Sequence, residues 1–300
     1  MIFIKILLII ILFLIPISIR SFVADDKDFF FYNDEEENTL NYEINIVDKN
    51  LTLNLEEYII GVVAGEMPAL FEIEALKAQA IAARSFALSG AIGYEVFITS
   101  TTNDQVFITK EQMKEKWGED FEAHYNRIAE AVRATENKVL KRDGNIMRSY
   151  YFAMSNGFTK NSLYVWGYNI FEGTEVSWDN EQLRSFNYER RFTTLELLNG
   201  LELSGAFIEL GTIKRYDTNH VSAVIVNNEE ITGINFRHNL GLRSTDFDIR
   251  RDGVDFIITT RGFGHGVGMS QHGANGMAKA GYNYIEILKH FYNNIEIINL

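Results

Sequence analysis

The sequence predicts an α+β fold of mixed helices and antiparallel strands around a groove, preceded by an N-terminal membrane anchor helix. Three observations predict it. Helix-period and strand-period stretches are interleaved without a βαβ rhythm. No internal repeat of about 20–50 residues is visible. The chain opens on an aliphatic run, "MIFIKILLIIILFLIPISIR", with Lys5 as its one charge before Arg20. That run has the pattern of a signal segment, and with Lys5 snorkelling toward the headgroups it is long enough to act as an uncleaved anchor over residues 1–24.

Residues 25–39 follow as an acidic linker, whose "DDKDFFFYNDEEEN" carries seven acids against one lysine. Such a run stays solvated and spaces the folded part from the membrane. Residues 40–300 form the folded domain. Here "YEINIVD" and "LTLNLEEYII" begin as alternating strands, the second turning helical toward Glu66. The stretch 72–92 is a helix with Leu76, Ala80, Ala83 and Ala87 on one apolar face. "TSTTNDQVF" is polar and turn-forming, and 111–137 is again helical. "VLKRDGNIMRSYYFAMS" reads as a hairpin turning at Asp143 and Gly144. Strand signals dominate from 207, and "GANGMAKAGYNYIEILKHFYNN" closes the chain with helix.

Composition removes several function classes. The chain has 300 residues, 46% hydrophobic and 13% aromatic, enough for a large core. With no cysteine, disulfides, thiol nucleophiles and cysteine-based metal sites are excluded. A formal charge of -13 argues against nucleic acid as a partner, because phosphate neutralisation needs a basic surface.

Three stretches carry candidate chemistry. In "YIIGVVAGEMPALF" Glu66 is the single charge among apolar residues. Desolvation would raise its pKa and suit it to general-acid work, while a helix-end carboxylate bonded to backbone N–H groups explains the same residue. Lys77 and Arg84 lie two helical turns apart and would point two cations in one direction. In "RGFGHGVGMSQHGANGMA" glycines at 262, 264, 266 and 268 delete every second side chain, so that another chain segment or a ligand can approach the backbone while His265 projects from the other side. The glycine spacing matches neither a dinucleotide nor a phosphate loop. Ser270 and His272 are two apart and do not form a nucleophile–base pair, and His272 reads as a structural hydrogen bonder. In "FAMSNGFTKNSLYVWG", Ser155, Asn156, Thr159, Asn161 and Ser162 alternate with aromatic residues. That mixture lines carbohydrate grooves and also occurs in ordinary loops.

Taken in order, "YIIGVVAGEMP", "EALKAQAIAARSFAL", "SNGFTKNSLYVWG", "FRHNLGLRSTDF" and "RGFGHGVGMSQHGA" resemble the motifs of the stage II sporulation protein D family, which includes the amidase-enhancer domains. The resemblance runs from about Leu51 to Phe291. It implies a lytic transglycosylase that cuts peptide-stripped peptidoglycan glycan strands between N-acetylmuramic acid and N-acetylglucosamine during engulfment in endospore formation. It implies a cell-wall amidase, the stage II sporulation protein P, as partner. The location it implies is single-pass in the cell membrane, with the domain extracytoplasmic in the septal space. Glu66 matches the family's catalytic glutamate. Lys77, Arg84, Ser155, Asn156, Thr159, Arg261 and His265 fall in motif positions assigned here to substrate binding, the cations meeting the lactyl carboxylates of muramic acid. A non-catalytic amidase enhancer with a structural Glu66 is the alternative.

The chain departs from the family pattern at Ala153, Met154 and Phe158, and at His272, where tyrosine is usual. Some relatives bind zinc through cysteine and histidine. With Asp104 at the corresponding place and no cysteine, no metal and no cofactor are expected.

Overall fold

In the computed structural model, which describes residues 42–179 and 186–300, the polypeptide enters as two antiparallel strands, β1 (Glu43–Ile46) and β2 (Leu51–Asn54). Asn54 then caps α1 (Leu55–Glu66) by accepting the Glu57 N–H. Its successor α2 (Ile73–Leu88) is the central helix, with thirteen of its sixteen residues buried. Its many alanines, small enough for neighbours to approach closely, let it be enclosed. Strand β3 (Glu95–Ile98) pairs parallel with β1. Helices α3 (Lys110–Trp117) and α4 (Phe121–Arg133) follow, the first held by a capping box between Thr109 and Gln112.

The predicted hairpin is present as β4 (Lys138–Arg142) and a two-residue β5 (Asn145–Ile146), with Asp143 and Gly144 both at positive φ. Beyond β6 (Tyr151–Phe152) and the one-turn α5 (Leu163–Trp166), the chain builds a second group of elements. These are β7 (Asn187–Phe192), α6 (Thr194–Gly200), β8 (Leu210–Arg215), β9 (Val221–Val226), β10 (Glu229–Thr232) and α7 (Gly233–Asn239). Strands β11 (Phe247–Asp252) and β12 (Asp255–Arg261) complete it. The order β10-β9-β8 and the order β11-β12-β7 are both antiparallel. Finally β13 (Met269–Ser270) pairs parallel with β6, and α8 (Gln271–Lys279) and α9 (Tyr284–Phe291) lead to β14 (Glu296–Asn299).

The α+β class holds, with two differences of detail. The tail does not close with helix: β14 returns to pair with β4, because "IEII" after α9 restores a strand pattern along an open edge. Two of the strand pairs, β1 with β3 and β6 with β13, are parallel.

Residues Asn41–Leu300 make one compact unit with two apolar cores. The larger gathers α1, α2, α4, α8 and α9 with β1, β3 and β4. The smaller lies among β7, β9, β11, β12, α6 and α7, where Phe236 stacks on Phe247 at 4.8 Å. The expected anchor over 1–24 and linker over 25–39 lie outside the described residues. Among the described residues, no helix is long and apolar enough to cross a membrane.

Candidate active site

Glu66 is the last residue of α1, where the chain leaves the helix at Met67 in extended conformation. The segment 104–108 runs alongside that helix, and the glycines of "GVVAGE" admit it. A Cβ on Gly61 would lie 2.1 Å from the Phe107 ring, and one on Gly65 would lie 2.5 Å from the Val106 carbonyl oxygen. Because nothing occupies that space, the Ile108 N–H reaches the Gly61 carbonyl at 3.2 Å. The Val106 N–H reaches Glu66 Oε1 at 2.7 Å. The second carboxyl oxygen accepts from Gln271 Nε2 at 3.3 Å.

Gln271 opens a chain of uncharged polar groups under Glu66. It donates to Gln79 Oε1 at 3.5 Å. Nearby, Tyr151 donates its hydroxyl to Gln105 Oε1 at 2.6 Å, and Gln105 donates to the Tyr58 hydroxyl at 3.0 Å. Gln79 Nε2 is buried without a partner. Burial pushes the Tyr151 phenol well above its usual range, and the charge of Glu66 adds to the shift.

Desolvation likewise raises the Glu66 carboxyl above its ordinary value, against the lowering effect of the Val106 N–H and of Gln271. The free carbonyls at the C-terminal end of α1 push the same way, since a helix C-terminus disfavours an anion. One of those carbonyls is answered by a cation, Lys116 donating to Ala64 O at 3.1 Å, and Arg127 holds the turn that follows the helix by donating to Ala69 O and Phe71 O at 3.1 and 2.8 Å. Glu66 itself is only half-buried, so it keeps access to solvent. No second carboxylate hydrogen-bonds into this cluster among the described residues.

The other sequence candidates do not gather around Glu66 as free ligands. Arg84 is fully buried and forks onto Glu56, with Nε to Oε1 at 2.8 Å and Nη2 to Oε2 at 2.6 Å, while Nη1 donates to Lys138 O at 2.9 Å. This corrects its assignment to substrate binding: the guanidinium joins α1, α2 and β4 inside the core. Lys77 pairs with Glu74 at 2.7 Å and lies over the Tyr284 ring, so the two cations do not present one surface. Arg261 is held by Asp246 and Asp248, at 2.6 and 2.8 Å, in a network that Arg215 also enters.

Asn156 Nδ2 donates to Asp246 Oδ2 and to Thr218 O, both at 2.8 Å. Ser155 and Ser270 both donate to buried Asp179 Oδ2. Thr159 is buried and accepts from the Thr174 N–H at 2.8 Å. Each of these side chains has a partner within the protein.

His265 donates from Nε2 to Tyr151 O at 3.0 Å and accepts the Val267 N–H on Nδ1 at 3.1 Å. Burial lowers its pKa to about 4, so the ring is neutral. Its contact with Tyr151 connects the glycine-rich segment to the strand whose phenol lies under Glu66. The alternate glycines admit other parts of the protein, backbone at 262 and 268 and side chains at 264 and 266. At 262, 264 and 268, all at positive φ, a Cβ would meet Met154 O at 2.8 Å, Phe152 Cβ at 2.7 Å and Tyr150 O at 2.0 Å. His272 places its ring edge-on to Phe71 at 5.1 Å, and its N–H donates to Ala153 O.

Asp104 accepts the Thr99 N–H and hydroxyl at 2.9 and 2.8 Å and faces Arg148. Among the described residues, no three His, Cys, Asp or Glu side chains converge as a metal site.

The candidate site is thus a half-buried acid at a helix end, cradled by the 104–108 segment and backed by glutamines and tyrosines; comparison with known proteins identifies the family of the chain. Residues 44–141 match the family model described as stage II sporulation protein. Relatives named stage II sporulation protein D, from Bacillus amyloliquefaciens and Bacillus subtilis, are each 37% identical to it, over 254 and 255 residues, covering 81% of this chain and 74% of the relative in both cases. The chain therefore belongs to the stage II sporulation protein D family. A Bacillus subtilis protein named amidase enhancer is 25% identical over 77% of this chain and 39% of its own length.

Proposed function

We propose that the chain is a peptidoglycan lytic transglycosylase that cuts peptide-stripped glycan between N-acetylmuramic acid and N-acetylglucosamine through Glu66, in septal wall remodelling and engulfment. The observation that carries the proposal is the Glu66 carboxyl itself: raised above its ordinary pKa by desolvation, oriented by the Val106 N–H, and, among the described residues, without a second carboxylate hydrogen-bonded to it. An ordinary retaining or inverting glycosidase needs two carboxyl groups. Intramolecular attack needs one. Protonated Glu66 gives its proton to the glycosidic oxygen as the C1–O bond breaks. The resulting carboxylate then takes the proton of the muramic acid 6-hydroxyl as O6 bonds to C1, closing a 1,6-anhydro ring and restoring the acid.

In the same proposal residues 1–24 anchor the chain as a single membrane pass, the domain works outside the cytoplasm, and a cell-wall amidase supplies the stripped strands. The similarity to the amidase enhancer supports a second reading, a glycan-binding activator with Glu66 structural. Incubating the full-length chain with amidase-stripped glycan decides between them. Mass spectrometry should find 1,6-anhydromuramic ends, absent with Glu66→Gln. If neither protein makes anhydro ends and both stimulate an amidase equally, the enhancer reading replaces the enzyme.

A further inference from the structure

With Arg84 and Arg261 engaged inside the protein, the cation that would meet an acidic sugar must be sought elsewhere. A pocket of about 350 Å³ opens where α5 faces β8, β9 and α7. This is within the range of small-molecule sites, roughly 300–1,000 Å³. Its rim is exposed at Tyr164 and Ile234, and Tyr164 stacks on Tyr216 at 4.1 Å, nearly parallel. Lys160 lies at its base.

Lys160 is buried, with 3% of its surface exposed. Its arm passes over Gly266, where a Cβ would lie 2.6 Å from Lys160 Cε, and its N–H donates to Gly266 O at 2.7 Å. The glycine-rich segment thus makes room for this side chain as well as for the 150–156 backbone. Among the described residues, the single hydrogen bond from Nζ goes to an uncharged hydroxyl, Thr245 Oγ1, at 2.7 Å. No carboxylate lines the pocket among the described residues. The charged and titratable groups closest in effect are Arg237, His220 and His265, none of them anionic, and Asp246 beside Thr245 is taken by Arg215 and Arg261. A buried Lys160 head group with one neutral acceptor, two neutral imidazoles and the charge of Arg237 around it suits an anionic ligand.

We propose that this pocket is a carboxylate subsite, in which Lys160 receives the acidic side arm of a sugar whose ring lies against Tyr164 and Tyr216. The sugar meant is muramic acid with its lactyl ether, and this identity rests on the glycan substrate proposed above. Desolvation and Arg237 lower Lys160 to about 7. An arriving carboxylate favours the ammonium form, so binding takes up a proton.

The test is calorimetric titration of the full-length chain with N-acetylmuramic acid, its carboxyl methyl ester and N-acetylglucosamine at pH 7.5, in two buffers of different ionisation enthalpy. The acid should bind at least about tenfold more tightly than the other two, as expected for a charge-assisted contact, with net proton uptake. Lys160→Met should abolish the preference. Lys160→Arg should keep it without proton uptake, because guanidinium stays charged. Glu66→Gln should bind as the wild type does, so loss of glycan cleavage and loss of carboxylate recognition are read separately. Equal affinity for acid and ester, preference surviving in Lys160→Met, or undiminished proton uptake in Lys160→Arg would each overturn the subsite.

Discussion

Gly65→Ala tests the arrangement that orients Glu66. The added Cβ would meet Val106 O at 2.5 Å, where ordinary contact begins at 3.4 Å, so the loop must retreat by about 0.9 Å. A hydrogen bond now 2.7 Å long then passes the outer limit for N–H···O of about 3.2 Å. Two effects on stability oppose each other. Alanine gains about 1 kcal/mol of helix propensity over glycine, while overpacking costs about 1–3 kcal/mol. The net change ranges from near zero to a loss of about 2 kcal/mol, worth roughly 2–4 °C in Tm per kcal/mol. The acid–base effect has one sign only: the Val106 N–H favours the carboxylate, so its removal raises the Glu66 pKa further. A carbon-detected NMR titration of the Glu66 carboxyl should show the upward shift, and the basic limb of the cleavage profile should move to higher pH with it. A variant that titrates like the wild type would refute the idea that the 104–108 loop tunes this acid.

Other outcomes follow from the same geometry. Because the folded Glu66 pKa is raised above its reference of 4.5, its contribution to stability is full below that value and is lost as pH rises through the folded pKa. Glu66→Gln should therefore melt higher than the wild type at pH 8, with the gap closing below about pH 4.5. His265 has the opposite sign: its pKa falls from 6.5 to about 4, so stability present above 6.5 is lost on acidification through 4, by about 3 kcal/mol. Urea midpoints across that range should fall less steeply for His265→Gln. Arg84→Lys loses the fork onto Glu56 and the bond to Lys138 O, and should destabilise the fold by about 2 kcal/mol or more in urea denaturation.

The sequence made the α+β class legible, along with the "DG" hairpin, the alanine-rich central helix and the isolation of Glu66, since each rests on local periodicity or on a single residue out of character. It hid partners distant in the chain. The separation of 28 positions between Glu56 and Arg84 conceals a buried ion pair that local spacing presents as a free cation. Likewise Asp246 and Asp248 claim Arg261 from a neighbouring strand. The glutamines under Glu66 are hidden for the same reason, although Gln79 in "EALKAQAIAARSF" is a polar residue inside a run destined for the core. The alternate glycines showed that something approaches the backbone, and only tertiary structure says that it is residues 150–156 and Lys160.

The amides beneath Glu66 have a consequence for proton counting. Gln271, Gln79 and Gln105 neither gain nor lose protons, and the phenols of Tyr58 and Tyr151 are both pushed upward, away from neutrality. Within that hydrogen-bonded set one exchangeable charge remains across the physiological range. Its titration should be a single step of unit Hill slope, unlike the split, two-step curves of paired carboxylates. In the proposed reaction, a lone acid wired only to amides would have to regain every proton it releases before it could act again, so each turnover would begin from the state in which the last one ended.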